Sequence, residues 1–265
     1  MDENQNEELE SQNPDGQPLC ERVHVLGVPV DILEEADFEN VFFELLGRKN
    51  EGVNIVLLSL WDLLRARRNG EYKSYVQNAA LVIPISKSIA GGARFLTGKT
   101  PIRYMPFNFV VRLLTVIEQR ENSLYLLGGK PVILTKTEKN IRQTFPKLRI
   151  IGRYPGNIKK QFEENLLNVI RKSAPSLLLV GLGVHGRERW LAKNNLRLNN
   201  GLRLWCSDIF EVFAERKKRP SRTSFDSGLE WIGFFFQKPV RFFRLFPFLY
   251  YNFALLLEKI KKKKH

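Results

Sequence analysis

The sequence predicts an α/β fold: a Rossmann-like, mostly parallel sheet flanked by helices, with a basic, aromatic helical appendage at its C-terminal end. Three observations carry that prediction. Short apolar runs alternate with segments of about ten to fifteen residues whose apolar positions recur at helical spacing, the pattern of strands joined through right-handed helical crossovers. The stretch Ser176 to Asn194 reads as one complete strand-turn-helix unit. Finally, the basic charge is concentrated in the tail: 13 Lys and Arg against 4 Asp and Glu lie between Ala214 and His265, in a chain of formal net charge +14.

The elements follow in order from periodicity and turn residues. Val23 to Val30, within RVHVLGVPVDIL, alternates as a strand does, and Glu35 to Leu46 carries an apolar helical face. Val53 to Leu60 is a second apolar strand, followed by a helix through Arg68. Ala80 to Ile85 gives a third strand, and Gly91 and Gly92 punctuate the segment after it. Phe109 to Arg120 is an amphipathic helix, Leu124 to Leu127 a strand closed by Gly128 and Gly129, and Thr135 to Phe145 the next helix. Leu148 to Ile151 is a short apolar run before the Pro155-Gly156 turn, and Phe162 to Lys172 is helical. Leu177 to Val180 then forms a strand, Gly181 and Gly183 a tight turn, and Arg187 onward a helix with Trp190 and Leu191 on its buried face. Leu202 to Cys206 is the last strand.

Composition bounds the rest. With 43% hydrophobic and 26% charged residues, the 265-residue chain can bury a sizeable core. Residues 1–19 are polar and acidic and cannot offset the entropy of ordering, so a disordered tail is expected there, an α/β domain over 20–220 and the appendage over 221–265. Cys20 and Cys206 make no disulfide framework, and with His24, His185 and His265 they have no metal-ligand spacing, so a reducing compartment, no metal and no other cofactor are expected. An acidic N-terminus without an apolar signal segment, and no spanning run of about 18 apolar residues, points to the cytoplasm.

Glycine turns at strand ends let helix-start amides approach an anionic ligand, which makes Gly128, Gly129, Gly181 and Gly183 candidate phosphate-binding positions; the same glycines can equally just close a turn. VHVLGVPVDIL, LYLLGGKP (Leu124 to Pro131), FPKLRIIG (Phe145 to Gly152), LLLVGLG (Leu177 to Gly183) and GLEW (Gly228 to Trp231) followed by QKPVRFFR together resemble the WecG/TagA/CpsF glycosyltransferase family over about residues 22–250. The resemblance implies a metal-independent transferase that moves an N-acetylhexosamine-type sugar from a UDP-sugar to a lipid-linked acceptor in surface polysaccharide assembly, on the inner face of the cell membrane.

Scaffold positions of the resemblance are kept where its catalytic ones are not. The family's Asp, its expected base, falls on Ile85; its Thr and Asn fall on Leu57 and Ser59, and its Gln on Arg187. Arg103 is kept, while the Gly and Asp after it become Pro106 and Asn108. In the tail one Arg becomes Phe234, and Arg241 and Arg244 are kept. Isoleucine cannot accept a proton, a contribution of about 10²–10⁴-fold in rate. No acidic residue lies between Glu71 and Glu118, so Glu188, Asp208 and Glu211 are the nearest carboxylates by motif position. Glu188 also joins Arg103, Arg241, Arg244 and the four glycines as a candidate substrate contact. The alternative expectation is a catalytically inactive relative that serves the same pathway as a binding or scaffold subunit.

The tail, FFFQKPVRFFRLFPFLYYNFALLL followed by KIKKKKH, interleaves aromatic and basic residues. About 13 helical residues between Arg244 and Glu258 reach only about 20 Å, short of a hydrocarbon core of about 30 Å. An anionic membrane surface is therefore the expected partner, with Phe, Tyr and Leu inserted and Lys and Arg at the headgroups. Aromatics packed on the core or on a second subunit are the alternative, which leaves a homo-oligomer open. No nucleic-acid motif accompanies the basic residues, so nucleic acid is not an expected partner.

Overall fold

The computed structural model describes residues 19–48, 52–68, 70–198, 201–228 and 245–264. Two short strands come first, β1 (Glu21–Val25) and β2 (Val28–Ile32), then α1 (Phe38–Gly47), β3 (Val53–Leu58), α2 (Leu60–Ala66), α3 (Gly70–Gln77), β4 (Leu81–Pro84) and α4 (Lys87–Thr97). The middle of the chain runs α5 (Pro106–Gln119), β5 (Ser123–Leu127), α6 (Pro131–Thr144), β6 (Arg149–Tyr154) and α7 (Lys160–Ser173). It closes with β7 (Leu177–Gly181), α8 (Glu188–Lys193), β8 (Leu202–Ser207), α9 (Ile209–Phe213), α10 (Arg222–Ser227) and α11 (Leu245–Lys264).

Six strands pair in parallel in the order β4-β3-β8-β7-β5-β6. Both faces are covered, which is why the strands read as continuous apolar runs such as LLLV in β7 rather than as alternating ones. Leu177 and Leu179 face a core shared with α1, α5, α6 and α9, while Leu178 and Val180 face a core shared with the β1–β2 pair, α2, α3, α4, α7, α8 and α11. Each such leucine, fully removed from water, contributes about 1.5–3 kcal/mol. The result is the expected three-layer α/β/α arrangement.

Three elements differ from the sequence expectation. Val23 to Val30 is a hairpin rather than one strand: β1 and β2 pair antiparallel with Val25 opposite Val28, and Leu26 and Gly27 turn the chain with φ of 55° and 75°. Positive φ at both central residues suits the right-handed twist of a two-residue hairpin. The hairpin stands outside the main sheet and is pinned to β4. Asp31 accepts a two-pronged contact from Arg22 at 2.6 and 2.8 Å and the Val82 N–H at 2.6 Å, and Arg22 also donates to the Ala79 carbonyl at 2.9 Å.

The segment punctuated by Gly91 and Gly92 is a helix, α4, and the helix expected to end at Arg68 is followed by a separate one, α3. Gly92 is in α4 because another helix lies against it: a Cβ there would overlap the Tyr251 hydroxyl of α11. Tyr251 Oη donates to the Ser88 carbonyl at 2.9 Å, and Tyr251, Ala254 and Leu255 form the buried edge of α11. The expected tail at residues 1–18 and the stretch 229–244, with Phe234, Arg241, Arg244 and most of the GLEW and QKPVRFFR motifs, lie outside the described residues.

Candidate active site

Parallel pairing brings the strand ends to one edge. Leu58 pairs with Pro84, Leu127 with both Val180 and Tyr154, and Gly181 with Ser207. Ser59, Ile85, Gly128, Leu182 and Asp208, the next residues along, therefore share the carboxyl edge, where open α/β sheets bind ligands. The helix after β8, α9, packs on one face, whereas α2 and α8, after the flanking β3 and β7, pack on the other. The connections diverge at β8, which is the geometry that opens a crevice.

On one side of this edge the glycine turns are laced to one another. Gly128 N–H donates to the Tyr154 carbonyl at 2.9 Å, Gly129 N–H to Leu182 at 2.5 Å, and Gly156 N–H to Gly129 at 2.9 Å. A Cβ on Gly128 would lie 2.8 Å from the Gly181 backbone, and one on Gly156 would lie 2.6 Å from Gly183. The glycines are required for close approach of three turns, and the Gly128 and Gly129 amides are committed to carbonyls rather than turned toward a ligand. Gly183, with φ of 92°, is exposed. Two other residues at this edge hold left-handed backbone without being glycine: Ser207 (φ 50°) and Arg187 (φ 56°, ψ −133°). Such conformations cost on the order of 1–3 kcal/mol and cluster where function holds them in place.

On the other side is a charged cluster. Ser59 caps α2 and forms a capping box with Asp62: Ser59 Oγ accepts the Asp62 N–H at 3.3 Å, Asp62 Oδ2 accepts the Ser59 N–H at 3.3 Å, and the Ser59 hydroxyl donates to the same carboxylate. Arg65 lies 3.5 Å from Asp62 and forms an ion pair with Glu188 at the start of α8, so α2 and α8 are tied together. The Arg65 guanidinium also lies over the Tyr72 ring, 5.6 Å from its centroid. Burial raises the Asp62 proton affinity above the usual aspartate range, opposed by the Ser59 hydrogen bond and by the charges of Arg65 and Arg187.

The other sequence candidates fall around this frame. Ile85 is half-buried at the end of β4, its N–H donating to the Leu58 carbonyl at 3.0 Å, and Leu57 is half-buried in β3 against the α1–α5 layer. Arg187 is exposed and Glu188 buried. Asp208 forms an ion pair with Lys217, and burial pushes Glu211 upward. The Arg103 guanidinium sits 3.7 Å from the centroid of the Phe225 ring, and Lys87 Nζ donates to the Ser227 carbonyl at 3.0 Å, so two cations hold α10 to this end of the molecule.

Asp62 is a carboxylate near this edge that lies outside the motifs carrying the family resemblance. The signal was present: Ser-x-x-Asp immediately after an apolar strand marks a helix start and places a carboxylate at the strand's end.

The WecG/TagA/CpsF glycosyl transferase family model matches residues 23–265. The chain is also similar to an N-acetylglucosaminyldiphosphoundecaprenol N-acetyl-beta-D-mannosaminyltransferase of Bacillus spizizenii, at 22% identity over 218 residues covering 82% of this chain and 84% of that protein. With the parallel sheet and its glycine-closed strand ends in place, the chain belongs to the WecG/TagA/CpsF family of glycosyltransferases.

Proposed function

We propose that the protein transfers an N-acetylhexosamine-type sugar from a UDP-sugar to a lipid-linked sugar acceptor in the assembly of a surface polysaccharide. The observation that carries this reading is the family match running through every strand end that forms the carboxyl edge. The name of the Bacillus relative supplies the first pair to try: N-acetylmannosamine as the transferred sugar and N-acetylglucosaminyldiphosphoundecaprenol as the acceptor.

A lipid-linked acceptor requires work at a membrane surface, and α11 supports it. Opposite its buried edge, Phe246 (64% exposed), Leu249 (62%) and Phe253 (60%) stand in solvent with Leu256, Leu257 and Ile260, and Lys259, Lys261 and Lys262 follow. That pattern suits a helix lying in the headgroup region of an anionic membrane. No helix among the described residues is long and apolar enough to cross one. The reading includes no metal, as the family resemblance implies, with cationic side chains meeting the diphosphate in its place.

The test is incubation of purified protein with UDP-N-acetylmannosamine or UDP-N-acetylglucosamine and the undecaprenyl-linked acceptor in anionic vesicles. UDP release with a lengthened lipid-linked product is expected, undiminished by EDTA. No release with either donor would overturn the reading in favour of a catalytically silent binding or scaffold subunit, which Ile85 would then explain.

A further inference from the structure

Ile85 leaves the end of β4 with no side chain able to take a proton, yet a carboxylate stands on the neighbouring connection. The β3 and β4 ends are joined directly: Ile85 N–H donates to the Leu58 carbonyl at 3.0 Å, and Ser86 Oγ accepts the Leu60 N–H at 3.0 Å. Ser59 and Asp62 belong to that same β3 connection. From Ser86 the links run through the Leu60 amide to Ser59 and the Asp62 carboxylate.

The competing carboxylates are worse placed. Both carboxylates of the cluster meet Arg65, but the Asp62 side chain is 22% exposed against 9% for Glu188, so Asp62 is the more open of the two to a substrate hydroxyl. Asp208 is held by Lys217, and Glu211 lies on α9, on the opposite face of the sheet from α2. Of these four carboxylates, Asp62 combines partial exposure, an orientation fixed by Ser59 and a place on the connection whose Leu60 amide is hydrogen-bonded to Ser86 after β4.

We propose that Asp62 is the proton acceptor for sugar transfer in this chain, with Ser59 orienting its carboxylate and the Arg65–Glu188 pair positioning the cluster from behind. This rests on the sugar-transfer reading above. In the step, the acceptor hydroxyl oxygen bonds to the anomeric carbon of the donor as the bond from that carbon to the UDP oxygen breaks. UDP leaves with the bonding electron pair, and the hydroxyl proton passes to an Asp62 carboxylate oxygen and from there to water after product release. A proton affinity raised by burial suits the role, because a base works best when its pKa approaches the working pH.

The experiment is steady-state kinetics of the full chain and of Asp62→Asn with UDP-N-acetylmannosamine and the undecaprenyl-linked N-acetylglucosamine acceptor, across pH. Asparagine keeps the oxygen that accepts the Ser59 N–H, so the cap persists. The expected result is a kcat lower by about 10²–10⁴-fold, a donor KM changed less than about twofold, and loss of the acid limb of the pH profile, which a purely structural role would leave in place. Asp62→Glu, which completes the preferred Ser-x-x-Glu capping box, should keep a substantial part of kcat with a displaced acid limb. It decides the matter if the Asn variant does not fold: unchanged kcat and acid limb in Asp62→Glu would then overturn the assignment. A folded Asp62→Asn protein as fast as wild type would also overturn it and leave sugar transfer standing, whereas a wild-type chain without turnover would remove sugar transfer itself.

Discussion

A single buried ion pair illustrates how much of this molecule is decided by individual side chains. Asp31 is 1% exposed and meets Arg22 through both oxygens. Removing one partner of such a pair strands the other charge, so Arg22→Ala is expected to cost about 3–5 kcal/mol in urea unfolding at neutral pH. Burial pushes Asp31 upward and Arg22 is the main opposing group. In the variant the native state keeps a proton that the unfolded chain releases near pH 3.9. Stability then falls as pH rises above that value, and the deficit shrinks as pH is lowered toward it. Unfolding measured at pH 7 and pH 4 checks both the size and the sign. The same scale shows what a sequence conceals. The Ser59-to-Asp62 capping box is legible as a local spacing, but the Arg65–Glu188 pair joins two helices, beyond any local spacing rule.

Between elements, the contact of α11 with α4 is the least predictable joint. Gly91 and Gly92 read as punctuation because glycine lowers helix propensity by roughly 1 kcal/mol relative to alanine. In the fold, α4 runs through both, and Gly92 leaves room for Tyr251. Gly92→Ala should therefore gain intrinsic helicity and still destabilise, since the added methyl displaces the Tyr251 hydroxyl from the Ser88 carbonyl. Faster amide exchange over residues 251–255, with exchange in β7 unchanged, is the expected signature. Strands such as Leu177–Gly181 were readable because burial on both faces leaves an uninterrupted apolar run. The Leu26–Gly27 reversal was not, because alternation continues across a two-residue turn and only backbone φ separates a hairpin from a longer strand.

The whole molecule presents two distinct regions: a carboxyl edge lined by glycine turns and a charged cluster, and a helix whose outer side is apolar and whose end is basic. Replacing Leu249, Phe253 and Leu256 by serine should abolish sedimentation with anionic liposomes while leaving the unfolding temperature unchanged, because all three are exposed and project away from the buried edge. Unchanged liposome binding would instead favour a second protein subunit as the cover for that face. The fold class and the parallel sheet were legible from alternating segment types. The docking of α11 was not, since it depends on one small residue 159 positions earlier in the chain than Tyr251. The most direct test of the account is mass-spectrometric detection of lipid-linked product when the purified full chain meets UDP-N-acetylmannosamine and N-acetylglucosaminyldiphosphoundecaprenol in vesicles. The account predicts one added N-acetylhexosamine per acceptor with stoichiometric UDP; an acceptor of unchanged mass, with the chain bound to the vesicles, would contradict it.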